Sequence, residues 1–369
     1  MLAVELEKYT DTLLRNYVCY KGGPLIVFAD KPTQDIGNAI IESASAMDTE
    51  IPQTAELVDV DKMRKGQPLT SLPDSFKQEL DQKLNGPDGY HNTVLYIMHG
   101  LDGEGPMIKE IVGIASTHGK IGGLPGCTYD VLKAGFSPDN IPEFSRELYE
   151  FMLQENAVVV QCNQGTSLLI EMNHRTENNP IGYTLINSNG VLIPGNYGNP
   201  IPAEVFCHPM NVNGTLVISS YYNPLLESPK YKDSPQSLLD DLRRTPITLV
   251  IENGRVTDIH SEDRYIKGIV KHEIFKRDPE YGMMIGEFGL PANLHVLKRK
   301  PIGNTLIDEK GRVHLAHGHG YPNRTGCPYD SPVHEDGLLD SATLYSCRLG
   351  KDFMKDNVYS SSIFRTLRQ

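Results

Sequence analysis

Residues 249–259, LVIENGRVTDI, are two runs of β-forming residues on either side of Asn253-Gly254. Both loop residues tolerate positive φ, and a two-residue Asn-Gly loop suits the twist of the strands it joins. The stretch therefore predicts a tight antiparallel hairpin. The surrounding chain has the same texture. Residues 157–161 read as a short apolar strand, and 184–187 and 191–194 flank Ser-Asn-Gly in what reads as another hairpin. A helix over 262–275, with Ile266, Ile269, Val270 and Ile274 inward, interrupts the strands.

Upstream the periodicity changes. Residues 2–18 suit an opening helix, and Pro24-Leu25-Ile26-Val27-Phe28-Ala29 is an apolar run bounded by turn residues, as in a buried strand. A helical stretch over 33–47 leads toward a second buried strand, Val94-Leu95-Tyr96-Ile97-Met98, with one more helix near 74–84 in the polar loop between. Strand, helix and strand in succession predict an α/β layer with parallel pairing. A helix over 140–156, capped by Asp139 or Asn140, carries the apolar stripe Phe144, Leu148, Phe151 and Met152. The expected fold is an α/β N-terminal domain, 1–156, followed by a β-rich α+β C-terminal domain, 157–369, which holds the chemistry.

Composition removes several function classes. A net charge of −12, with no Trp and no basic aromatic strip, argues against a nucleic-acid partner, since phosphate binding needs clustered Lys and Arg. No stretch is long and apolar enough to span a membrane, and the first residues lack the apolar run of a signal peptide. A cytoplasmic location is the resulting expectation. Six scattered cysteines without a C-x-x-C pair predict free, buried thiols rather than a disulfide frame or a zinc ribbon.

Chemistry-bearing residue types concentrate in 282–337. There Gly286-Glu287-Phe288-Gly289 is followed by His314-Leu315-Ala316-His317-Gly318-His319-Gly320-Tyr321-Pro322 and by His334-Glu335-Asp336-Gly337. Histidine and carboxylate are ligand types for Zn, Mn, Co and Fe. His334 and Asp336 lie two apart, so on a strand both project from one face. Glu287 ends an apolar run, and burying its carboxylate calls for a cation or an Arg beside it. His317 and His319, next to glycines, read as surface or supporting residues.

At these residues the chain resembles the aminopeptidase T family of metallo-aminopeptidases. The likeness runs through Gly195-Asn196-Tyr197-Gly198, Ala203-Glu204-Val205-Phe206, Pro209, Val212-Asn213-Gly214-Thr215-Leu216-Val217 and Gly286-Glu287-Phe288-Gly289. It continues through Asn304-Thr305-Leu306-Ile307-Asp308-Glu309-Lys310, His314-Leu315-Ala316, Tyr321-Pro322 and His334-Glu335-Asp336, with Gly122-Gly123-Leu124-Pro125-Gly126-Cys127-Thr128 upstream. The resemblance implies a two-metal hydrolase, with Zn, Co or Mn held by Glu204, Glu287, His314, His334 and Asp336 and with Tyr321 beside them. It also implies a homodimer acting on a short peptide or related small molecule. Catalytic roles would fall to Glu204, Glu287 and Tyr321, leaving open which glutamate is base and which is ligand. Mg is the ion least suited to a histidine-bearing set.

Departures from the family pattern bear on substrate. Leu290-Pro291-Ala292-Asn293 follows the GE-x-G element where Gly-Thr-Asn-Pro is usual, and the loop from Tyr321 to His334 is short. A different or narrower substrate is expected. The chain also resembles, more loosely, 2,5-dihydroxypyridine dioxygenase, whose chemistry needs one Fe(II) on two histidines and a carboxylate, as His314, His334 and Asp336 could supply. A non-catalytic binding member is the third reading, because fold alone does not fix function.

Overall fold

The computed structural model describes residues 2–49, 51, 53–84, 92–100, 104–115, 119–136, 142–177, 179–195, 197–226, 228–232 and 234–368. The expected helix caps Asp139 and Asn140 lie outside the described residues. By contacts the chain forms two compact units: Met1–Pro138 with Asn189–Pro202, and Asp139–Ser188 with Ala203–Gln369.

The first unit is built on a parallel sheet, in the order Gln53–Asp59, Gly23–Ala29, Thr93–Tyr96, Lys120–Gly123, Tyr197–Gly198. The apolar runs at 24–29 and 94–98 are its buried centre, as parallel strands covered on both faces require. Gln53–Asp59 and Lys120–Gly123 are strands that sequence periodicity did not reveal, the first because it is polar and the second because two of its residues are glycine. Helix Gln34–Ala46 packs closely, since a Cβ at Gly37 would lie 2.5 Å from Leu57 Cδ1. The opening helix runs Leu2–Thr12 and widens into a π-helical turn over Leu13–Val18. A helix also forms at Asp74–Leu84.

One consequence of parallel strands is that polar groups collect past their C-terminal ends. Asp30 accepts the amide hydrogens of His99 and Gly100, and Arg64 Nη1 pairs with Asp30 and Asp61 while its Nε and Nη2 donate to Glu104 at 2.7 and 2.6 Å. Asp30, Arg64 and Glu104 are all buried. Removing the guanidinium leaves two interior acids without it, so Arg64→Ala is expected to cost the first unit about 3–5 kcal/mol. Hydrogen exchange of the Gly23–Ala29 amides during denaturant titration checks this.

The second unit holds two antiparallel sheets. The larger orders its strands Arg255–His260, Ile247–Glu252, Asn211–Ile218, Ser167–Glu171, Ala157–Gln161, Thr343–Ser346, Lys351–Lys355, Val358–Tyr359. The smaller runs His334–Leu338, His314–Gly318, Ile285–Pro291, Glu204–Cys207, Ile186–Ser188. One core joins them, with Val160, Ile170, Leu216 and Ile218 from the larger and Val205, Phe288, Leu290 and Leu315 from the smaller. Helix Pro142–Met152 belongs to this core, its Phe144 and Phe151 rings packed on Phe364, with Tyr359 and Phe353 alongside.

The hairpin expected over 249–259 forms and begins two residues earlier, at Ile247, with positive φ at Asn253 and Gly254. The second expected hairpin does not. Ile186–Ser188 pairs with Glu204–Cys207 instead, and the Leu192 amide donates to Tyr17, so 189–202 folds with the first unit. All six cysteines are free, as expected, but only Cys127, Cys207 and Cys327 are buried; Cys19 and Cys162 are half-buried and Cys347 is exposed. No helix among the described residues is long and apolar enough to cross a membrane.

Candidate metal centre

Strand alternation and register assemble the centre on one face of the smaller sheet. Val205, Cys207, Phe288, Leu290 and Leu315 face the core, so Glu204, Glu287, Gly289, His314, Ala316, His334 and Asp336 face the other way. Across the strands, Ala316 stands opposite both Glu287 and Asp336, Gly289 opposite His314, and Gly318 opposite His334. Each ligand type thus has a small residue as neighbour. The requirement is tight at Gly289, where a Cβ would lie 2.1 Å from His314 Nε2. A register shift at Gly286, between Ile285 and Glu287, brings the Glu287 carboxylate onto this face.

All five expected ligand residues and Tyr321 come together. His314 Nε2 is 3.3 Å from Glu287 Oε1 and 3.7 Å from Glu204 Oε2. His334 Nε2 is 3.8 Å from Asp336 Oδ1, 3.9 Å from Glu287 Oε2 and 3.2 Å from the Tyr321 hydroxyl. Both rings are oriented from behind. His314 Nδ1 donates to the Arg312 carbonyl at 3.0 Å, and His334 Nδ1 donates to the His319 carbonyl at 2.8 Å. A backbone carbonyl can only accept, so each Nδ1 keeps its hydrogen and Nε2 is the nitrogen that faces the acids and would give up its proton to a metal, the arrangement a metal-ligating histidine needs.

The acids supply the decisive fit. Glu204 Oε2, Glu287 Oε2 and Asp336 Oδ1 are buried and have no hydrogen-bond partner. The residues carrying them are only 6, 4 and 3% exposed. An unpartnered anionic oxygen in the interior is costly, and three converging on two imidazole Nε2 atoms are what a divalent cation would satisfy. Glu204, Glu287 and His314 form one group of donor atoms within 4.8 Å, and Glu309, His314 and Asp336 form another.

The electrostatics reflect the same demand for positive charge. Burial disfavours a charged His314, but its hydrogen bond to Glu287 and the charges of Asp336, Glu287 and Glu204 outweigh this and hold the ring near about 10. His334 is raised too, with burial opposing and Asp336 and Glu287 leading the other way. Burial pushes Glu309 up to about 7, against the pull of Lys310 and with Glu204 and Asp336 adding. Burial and the surrounding acids hold the Tyr321 phenol protonated.

Several contributors were not visible in the sequence. Lys310 is buried, with Nζ 2.5 Å from Glu204 Oε1 and 2.7 Å from Glu309 Oε1. In sequence, Asp308-Glu309-Lys310 enters as part of a motif that carries the resemblance, with no role given to Lys310. Asn223 Nδ2 donates to Asp336 Oδ2 at 3.3 Å, fixing that carboxylate. His317 differs from the surface reading: three positions after His314, it faces the opposite side of the sheet and is buried. Its Nδ1 donates to the Gly282 carbonyl and its Nε2 accepts from Tyr222, each at 2.6 Å. His319 is partly exposed and meets Asp330.

No family model matches the chain, and no curated protein matches it by sequence. Solved structures do. AmpT from Thermus thermophilus superposes with a TM-score of 0.64 at 16% identity, covering 97% of this chain and 100% of that one. The 2,5-dihydroxypyridine dioxygenase from Pseudomonas putida KT2440 superposes with a TM-score of 0.61 at 16% identity, covering 97% and 98%. The chain therefore has the fold shared by these two enzymes, as its motifs led one to expect.

Two outcomes test this geometry. Gly289→Ala places a methyl on the His314 ring and should weaken metal binding by about 10–100-fold while circular dichroism is unchanged; isothermal titration with Zn measures it. Burial, opposed by the Gly282 hydrogen bond, lowers His317 to about 4, below its unfolded value near 6.5. Stability from neutral His317 is complete above about pH 6.5 and is lost as pH falls toward about 4, by about 3 kcal/mol in full. In urea titrations from pH 7.5 to 4.5, His317→Gln should be weaker at neutral pH but show the shallower decline.

Proposed function

We propose that the chain is a metal-dependent hydrolase that cleaves an amide, in a short peptide or a related small molecule, as the resemblance to aminopeptidase T implies. Glu204, Glu287, His314, His334 and Asp336 would hold the metal. The observation that carries this reading is the trio of orphaned carboxylate oxygens facing two oriented Nε2 atoms. A divalent cation held by them would supply Lewis-acid chemistry, activating a water and polarising a carbonyl.

The remaining roles belong to side chains. With His334 Nε2 given to a metal, the Tyr321 hydroxyl keeps its hydrogen for a substrate oxygen that becomes anionic during the reaction. Its φ of 54° at the start of helix Pro322–Thr325 holds it there, and the Phe206 ring lies 5.7 Å away. Glu287 lies between the two histidines, which supports giving it the ligand role and the acceptance of a water proton.

An Fe(II) oxygenase is the second reading, supported by Lys310 drawing one oxygen of Glu204 away from the metal ligands. Against it, Glu287 adds a carboxylate to the two histidines and Asp336, and so takes up a position that oxygen chemistry keeps open.

Protein reconstituted separately with Zn, Mn, Co and anaerobic Fe(II) should turn over aminoacyl amides without consuming oxygen. Glu287→Ala and His334→Ala should each lower that rate at least about 100-fold with cooperative unfolding retained. Retained turnover in either variant overturns the ligand assignment, and metal-dependent oxygen uptake on an aromatic substrate favours the second reading.

A further inference from the structure

Lys310 lies where a site of this kind has least use for a lysine. Its ammonium is only 3% exposed and contacts Glu204 Oε1 and Glu309 Oε1. Those two acids belong to different groups of candidate ligands, Glu204 with Glu287 and His314, and Glu309 with His314 and Asp336. Both groups depend on His314, whose Nδ1 is committed to the Arg312 carbonyl. Its single free nitrogen can serve one ion, and His334 Nε2, the second imidazole, faces Asp336 and Glu287 rather than the space between Glu204 and Glu309 that Lys310 fills. Charge points the same way: four acids line the centre, and one fixed ammonium with one divalent cation neutralises most of what they carry, whereas a second divalent ion beside the ammonium would meet strong repulsion.

We propose that Lys310 is a built-in second cation, so that the centre takes one divalent metal ion per chain in place of the pair that the family resemblance implies. This rests on the metal-site reading above, but not on the choice between hydrolase and oxygenase. Glu204 then divides its two oxygens, Oε1 to the ammonium and Oε2, which has no hydrogen-bond partner, toward the metal. Lys310 is a positioning residue: it orients Glu204 and blocks the space between Glu204 and Glu309.

The test is metal stoichiometry by native mass spectrometry and elemental analysis. Full-length protein is loaded with excess Zn, and separately Mn, then desalted. The native chain and Lys310→Arg, which keeps the charge, should retain one ion each. Lys310→Gln, which removes the charge, should retain a second. Two ions on the native chain overturn the role given to Lys310 while leaving the metal centre standing, and none overturns the metal centre itself. A folded Lys310→Gln that stays at one ion also overturns the proposal. If that variant does not fold, anomalous diffraction from Zn-loaded native crystals decides: one peak between His314 and His334 supports it, and two contradict it.

Discussion

The pairing of Ala316 with Glu287 on one side and Asp336 on the other is the constraint from which the centre follows. Antiparallel register places residues in rows across the sheet, and a one-residue slip would turn a whole strand over. Here the slip would send His314 and Asp336 into the core beside Phe288 and bring Leu315 out. The core forbids that, because Val205, Phe288, Leu290 and Leu315 fill the space against the larger sheet. Hydrophobic burial on one face thus fixes the ligand geometry on the other.

Small residues complete the arrangement. Gly289, Ala316 and Gly318 alternate with the ligands, and imidazole and carboxylate occupy the room they leave. Support from behind is mostly backbone: the carbonyls of Arg312 and His319 set both histidine tautomers. Such support is rigid, since it moves only if the strands move. The interior acids are the cost of the design. A fold that buries Glu204, Glu287 and Asp336 side by side is tolerable only if positive charge is supplied, in part by Lys310 and in part from solution.

Much of the second unit was legible because its signals are local. Asn253-Gly254 announces a hairpin, and His334 with Asp336 announces a shared strand face; both depend on residues a few positions apart. Glu204 was legible as a ligand only through motif resemblance, because it lies far in sequence from Asp336 and spacing says nothing of such a meeting. Three features had no usable signal. The segment 189–202 looks like half of a hairpin yet adds Tyr197–Gly198 to the first sheet, a choice made by long-range packing. His317 looks like its neighbour His314 until the pleat sends it the other way. Lys310 sits in a charged triplet of the sort that normally marks a solvated turn, and only the folded strands reveal the acids waiting for it.

The donors that surround a bound metal are the most direct measure of the centre. X-ray absorption at the Zn edge, on protein loaded with one equivalent, reads that shell directly. It should show two imidazole nitrogens near about 2.0–2.1 Å with carboxylate oxygens at about 2.0–2.2 Å and no sulfur. A shell of water oxygens alone, or one containing thiolate sulfur at about 2.3 Å, would contradict it.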